Sequence, residues 1–224
     1  VQGTGDNASA GYHGYWITDF TQIDPHLGTN ADMEQLIDAA HAKGMKVFFD
    51  IITNHTADVI DYRGGQHQYV SKKASPYERA DGTTFDDRDY VNRAFPAMDP
   101  ATSFPYVPFF HGDDATAKTP AWLNDPLMYH NRGDSTFAGE SSTYGDFSGL
   151  DDLFTERPEV VAGMGDIYKK WVDFGIDGFR IDTVKHVNIE FWQKFVPDIL
   201  AEAAKVENDD FFAFGEVYDG NPAV

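Results

Sequence analysis

Apolar residues recur at helical spacing in three stretches of the chain, and each stretch runs into a short, mostly apolar one. Over 29–43 the polar pair Thr29 and Asn30 stands where a helix needs its cap. Met33, Leu36, Ile37 and Ala40 then share one face, and Gly44 marks the stop. The run at 45–52, Met-Lys-Val-Phe-Phe-Asp-Ile-Ile, reads as a strand buried on both faces of a parallel sheet, interrupted by Asp50 near its C-terminal end. The pattern returns after Pro158, a favourable first helical residue, with Val161, Met164, Tyr168 and Trp171 on one face before Gly175 and a strand over 176–182. A third helix, opened by Asn188 and carrying Phe191, Trp192, Phe195, Ile199 and Leu200, precedes a strand over 211–217.

Helix and strand therefore alternate, which predicts βαβ units, an α/β fold with a parallel sheet, and functional residues at the carboxyl ends of the strands. Asp50, Asp182 and Glu216 all fall at such ends. The stretch from Thr56 to about Leu150 breaks the alternation: it is rich in Gly, Pro, Asp, Ser and Tyr and has neither periodicity nor low complexity. A structureless loop of that length does not suit a compact protein, and its aromatics, among them Tyr69, Phe104, Tyr106, Phe109, Phe110 and Trp122, predict an inserted subdomain with packing of its own. The expected division is 1–56 and 151–224 in the sheet-bearing part, with 57–150 inserted.

Composition narrows the function classes. Seventeen basic against thirty-seven acidic residues give a formal charge of −20, which opposes sequence-independent binding to nucleic acid or to anionic lipid. No apolar run is long enough to span a bilayer. With no cysteine, thiolate metal sites and disulfides are excluded and the redox compartment cannot be read.

Two spots carry candidate chemistry. Arg180 and Asp182 stand two apart on a strand, hence on one face, where a cation lowers a carboxylate's pKa and keeps it ionised, as a carboxylate nucleophile requires; from this spacing alone a purely structural ion pair is the favoured reading. Glu216 ends the apolar run Phe211-Phe212-Ala213-Phe214-Gly215, and aromatic surroundings predict a raised pKa suited to a proton donor. Taken together, two carboxylates on neighbouring parallel strands can face one another at the separation of about 5 Å that retaining glycosidases use.

Asp50-Ile51-Ile52-Thr53-Asn54-His55, the segment from Arg180 to His186, and Phe214-Gly215-Glu216 resemble, in order and spacing, three signatures of the α-amylase family of glycoside hydrolases. Tyr12-His13-Gly14-Tyr15-Trp16 and Asp24-Pro25-His26-Leu27-Gly28-Thr29 resemble the family's segment around its second strand. The resemblance covers essentially the whole chain and implies a TIM (β/α)8 barrel, present here as about strands 2 to 5, with the long insertion after the third. Candidate strands end near Ile17, Ile52, Asp182 and Val217, half the eight of a closed barrel, and the family's later His-Asp signature is not among them. The chain taken alone is accordingly expected to be an incomplete enzyme, inactive on starch and poorly folded, aggregated or completed by another chain.

The resemblance also implies roles. Asp182 would be the nucleophile, Glu216 the acid/base and Arg180 the residue holding Asp182 ionised. Tyr15 would stack on the sugar at the cleavage subsite beside Trp16, with His13 and His55 hydrogen-bonding it. Asp50 would be a structural aspartate of the same cluster, and Lys185 and His186 would line the leaving-group side. His26 and His41 have no motif and are expected as surface or packing residues. A calcium ion (Ca2+) is implied, held by Asn54, Asp152 and the backbone carbonyl of His186; where the family often has Leu-Pro-Asp-Leu this chain has Leu150-Asp151-Asp152-Leu153, which leaves Asp151 as a rival ligand. The implied partner is an α-glucan polysaccharide or oligosaccharide, and the implied location is extracellular. Hydrolysis of α-1,4-glucosidic bonds is the expected activity. Cyclodextrin-forming or other glucan transfer, debranching of α-1,6 links, and non-catalytic glucan binding are the alternatives, the last set back by the presence of all three catalytic side chains.

Overall fold

A computed structural model describes residues 11–218. The first helix, α1 (Asn30–His41), begins where Thr29 and Asp32 form a reciprocal capping box, and it buries Ile37 and Ala40. Gly44 takes a left-handed φ of +73°, and the Met45 amide returns to the Ala40 carbonyl, so the chain leaves the helix directly into strand β1 (Phe48–Ile51). Helix α3 (Pro158–Asp173) opens on its proline and buries Val160, Val161, Met164, Ile167, Tyr168, Trp171 and Val172. Strand β6 (Gly178–Ile181) follows, then α4 (Ile189–Lys205), capped by Asn188 and burying Phe191, Phe195 and Ile199, and finally β7 (Phe212–Gly215).

These three strands form one parallel sheet in the order β1-β6-β7, with Phe48, Gly178 and Phe212 level with one another. Each new strand joins the sheet beside its predecessor, so the sheet is wound in one direction, as in a barrel wall rather than a doubly wound sheet. The odd-numbered residues Phe49, Ile51, Phe179 and Ile181 face the helices, where Phe49 meets Trp171 and Phe179 meets Tyr168. The even-numbered ones face the other way. Phe48, Phe212 and Phe214 on that second face keep 41%, 59% and 46% of their surface exposed, and the strands there also carry Asp50 and Arg180.

Gly178 allows this arrangement. A Cβ placed there would stand 2.1 Å from the Phe212 carbonyl oxygen and 2.3 Å from the Phe48 ring. Because one of those atoms is backbone in the sheet itself, Gly178→Ala is expected to cost at least about 1–3 kcal/mol, the range for overpacking. Urea unfolding of the full-length protein checks this; an unchanged midpoint would mean that the strands separate without penalty.

Between β1 and α3 lie only short elements. Strand β2 (Ile60–Tyr62) pairs antiparallel with β5 (Pro108–Phe110), β3 (Tyr77–Glu78) pairs with β4 (Thr84–Phe85), and α2 (Ser141–Tyr144) is a single turn. Tyr77, Phe85 and Phe104 form a second apolar cluster with Phe154, which follows this stretch, and Leu127 packs against both this cluster and the main core.

Two expectations fail. No strand forms near Tyr15 and Ile17; the backbone there is spent elsewhere, with Ala57 donating to the Ile17 carbonyl and Thr119 pairing with Thr18 and Phe20. The run 45–52 is a strand only from Phe48, because the Met45 amide closes α1 and the Val47 amide donates to the Asp177 carboxylate at 2.7 Å. Asp177 also takes Lys46 at 3.1 Å and His41 at 2.7 Å, so His41 ties α1 to the start of β6.

Candidate active site

Residue parity assembles the site. Asp50, Arg180, Asp182 and Glu216 are all even-numbered on adjacent parallel strands or one step beyond them, and the ladder continues past the strand ends through Asp182 N to Ile51 O and Glu216 N to Ile181 O. All four therefore project from one face at one end of the sheet. Arg180 stands at the centre: its Nη1 donates to Asp50 at 2.7 Å and to Asp182 at 2.9 Å, and its Nη2 lies 2.6 Å from Glu216. The Tyr15 hydroxyl closes the group, donating to Asp50 at 2.9 Å. Directly after Asp182 the backbone turns at Thr183, a β-branched residue at φ +54°, with its hydroxyl buried and without a hydrogen-bond partner among the described residues. Such strain in a β-branched residue persists only where the surroundings enforce it.

The charge balance departs from expectation in two ways. Burial pushes Asp182 above the ordinary carboxylate value, helped by the like charges of Asp50 and Glu216; Arg180 opposes the shift without cancelling it. Glu216 is not enclosed by aromatics: its side chain is 47% exposed and paired with Arg180, because Phe212 and Phe214 lie outward on the same face. Burial and the Asp50 charge also raise Tyr15, which stays a neutral hydroxyl.

These groups open onto a cleft of about 730 Å³ that Asp182 and Glu216 share with His13, Tyr15, Trp16, His55, Lys185 and His186. The structure thus brings the expected substrate-binding residues to one place. His13 accepts from the Tyr15 amide through Nδ1 and packs against Tyr15 and Trp16. His55 is buried, which depresses its pKa to about 3 with help from His186, so the ring is neutral. Its Nδ1 meets the Asn54 amide nitrogen at 3.2 Å, and its Nε2 has no hydrogen-bond partner among the described residues. Lys185 donates to the Tyr218 carbonyl at 2.6 Å. His186 is held by α2 of the inserted stretch, through the Ser142 carbonyl at 2.7 Å and hydroxyl at 3.0 Å.

Phe137, Phe147, Ser148, Leu150 and Tyr218 also line the cleft, and the residue pattern had singled out none of them. Phe147 stacks on His55 at 5.2 Å and meets His186 edge-on at 5.3 Å, so one ring from the inserted stretch touches both sides of the site. The only signal for Phe137, Phe147 and Leu150 is an apolar residue within a Gly- and Ser-rich segment.

The segments that carry Asn54 and Asp152 are adjacent, since His55 and Asp152 form a bridge and the Leu153 amide donates to the Asn54 carbonyl at 2.9 Å. Phe147 lies between His55, the residue after Asn54, and His186. An amide oxygen, a carboxylate and a backbone carbonyl are hard donors of the kind that suits calcium. Among the described residues no group of three His, Cys, Asp or Glu forms a metal cage, and this donor set contains one carboxylate. Asp151 does not fit as the rival: its carboxylate is taken by the buried Lys118 ammonium and by the amides of Val59 and Ile60. Burial drives both partners toward their neutral forms, raising Asp151 to about 8 and lowering Lys118.

Residues 5–224 match the family model described as "Alpha amylase, catalytic domain". The chain is similar to an alpha-amylase of Streptomyces lividans, 64% identical over 227 residues that cover 100% of this chain and 25% of that protein. It is 31% identical to a cyclomaltodextrin glucanotransferase of Geobacillus stearothermophilus, covering 94% of this chain and 23% of that protein. Among solved structures, the alpha-amylase of Geobacillus thermoleovorans complexed with acarbose superposes with a TM-score of 0.59 at 29% identity, covering 95% of this chain and 34% of that one. The chain spans about a quarter of the length of the curated relatives it matches.

Proposed function

The chain belongs to the α-amylase family of glycoside hydrolases, with the TIM-barrel-type fold of its catalytic domain, and on that premise we propose that it serves the retaining hydrolysis of α-1,4-glucosidic bonds in starch-like polysaccharides. The observation that carries this reading is a single guanidinium, Arg180, holding carboxylates from two adjacent strands at the floor of an aromatic cleft. In this reading β1, β6 and β7 are the third to fifth barrel strands, 57–150 is the insertion after the third, and 1–56 and 151–224 belong to the barrel.

The chemistry divides between the two carboxylates. An Asp182 oxygen attacks the anomeric carbon while the bond to the glycosidic oxygen breaks, and Glu216 gives that oxygen its proton. Glu216 then takes a proton from water as the water attacks the same carbon, breaking the ester and restoring the Asp182 carboxylate. Arg180 positions both carboxylates and Asp50 fixes Arg180, while Tyr15, Trp16, His13 and His55 hold the sugar. Lys185 and His186 meet the leaving-group side. Proton NMR of maltooligosaccharide cleavage by the full-length protein tests this: the α-anomer should form first, and a β-anomer would overturn the reading.

Glucan transfer is the second reading, favoured by the glucanotransferase relative. It uses the same ester and differs only in the acceptor. Cyclic products would decide for it, linear ones for hydrolysis. A polymeric substrate too large to import places the enzyme outside the cell, which fractionation of the natural source checks. Among the described residues no helix is long and apolar enough to cross a membrane.

Asn54, Asp152 and the His186 carbonyl would hold calcium where the inserted stretch meets the strand ends, and the ion would supply a structural tie between them. Because such an ion binds only the folded chain, a chelator should lower the melting temperature of the full-length protein and added calcium should restore it. A melting temperature indifferent to chelator would remove calcium from the reading.

A further inference from the structure

His130 is fully buried, and each of its ring nitrogens meets a carboxylate: Nδ1 lies 2.5 Å from Asp152 Oδ2 and Nε2 lies 2.9 Å from Glu156 Oε2. A ring with an acceptor at both nitrogens must donate from both. Tyr144 and Phe154 pack against it with centroids at 4.9 and 4.6 Å, so it has no room to turn away. The backbone repeats the link, with His130 N donating to Asp152 O at 3.0 Å. Glu156 is itself fully buried, with Arg88 3.8 Å away. Asp152 is therefore not free to choose its rotamer, and one of its two carboxylate oxygens is already committed.

We propose that His130 is a positioning residue that presents Asp152 to calcium as a one-oxygen ligand, with Glu156 as the anchor that fixes the imidazole. The proposal rests on the calcium reading above. Oδ2 is spent on the His130 N–H, so Asp152 offers Oδ1, and the orientation is set before the ion arrives. Outer partners of this kind typically account for about 10–100-fold in metal affinity. A second effect runs the other way: deleting a cation beside the site would, by Coulomb attraction alone, tighten calcium binding. The two roles thus predict opposite signs.

Calorimetric titration of calcium into chelator-stripped full-length protein separates them. His130→Asn keeps an amide N–H near the Nδ1 position and hence the bond to Asp152. His130→Gln keeps one near Nε2, toward Glu156, and loses the bond to Asp152. The expected result is a loss of about 10–100-fold in affinity for Gln and a much smaller loss for Asn. Equal losses in both variants, no loss in Gln, or tighter binding by Gln would each overturn the proposal. Should His130→Gln not fold, Glu156 carries the test: Glu156→Ala, which removes the acceptor at Nε2, should weaken calcium binding more than Glu156→Gln, which loses the same charge but keeps an acceptor oxygen, and equal affinity in the two overturns the clamp. Wild-type protein that binds no calcium would overturn the calcium reading and the clamp with it. Wild-type binding with an unaltered Gln variant would overturn the clamp alone.

Discussion

Asp182→Asn in the full-length protein should lower starch hydrolysis by roughly 10⁴-fold or more while leaving the melting temperature within a few degrees of wild type, since a nucleophile's removal costs most of the rate and an amide cannot form the ester. The fold should survive for a specific reason. Asp182 is held above its usual pKa chiefly by burial, so an uncharged isostere relieves desolvation, and its carbonyl oxygen can still accept from Arg180. Glu216→Gln should lose activity on starch to a similar degree and regain part of it on substrates whose leaving group needs no proton. Initial rates on starch and on an activated aryl maltoside check both. An Asp182→Asn enzyme within tenfold of wild type would end the nucleophile assignment, and no recovery for Glu216→Gln would end the proton-donor assignment.

Much of this site could be read from the residues, because it lies where periodicity is strict. Parity on a strand puts Arg180 and Asp182 on one face without further information, and the parallel register carries the same parity to Asp50 and Glu216. Helices α3 and α4 were legible for a similar reason: each carries a wide apolar stripe and a start signal, Pro158 in one and Asn188 in the other. The segment around Tyr15 was not legible. Its aromatic run looks like a strand, but Gly14 at φ +81° turns the chain and its backbone partners are the distant Ala57 and Thr119. The environment of Glu216 was misread because apolar neighbours in sequence alternate faces on a strand, so Phe214 lies two residues away on the same face yet points to open space. Phe137, Phe147 and His130 sit in an aperiodic stretch whose path depends on tertiary contacts, as with His130 between Asp152 and Glu156. No spacing rule could have reached them.

Arg180 is where the site is most vulnerable, since one guanidinium serves Asp50, Asp182 and Glu216 at once. Lysine keeps the charge, but its single ammonium cannot span three carboxylates as a planar fork does, so Arg180→Lys should lose about 10²–10³-fold in kcat through misplacement of the reacting groups. Arg180→Gln loses the charge as well, and here the sign of the pH effect is fixed. In the wild-type site burial raises the Asp182 pKa and Arg180 is the main influence lowering it. Without the cation, burial and the charge on Asp50 act unopposed, so the pKa must rise further. The nucleophile is the ionised form, so activity falls as pH drops through that pKa, and the acid limb of kcat/KM must move to higher pH in Arg180→Gln and move less in Arg180→Lys. Profiles of kcat/KM against pH for both variants, measured on a substrate with an activated leaving group so that proton donation does not limit the rate, make the comparison. An acid limb that stays in place in Arg180→Gln, or moves to lower pH, would mean that Arg180 does not govern the ionisation of Asp182 and serves only to hold the strand ends together.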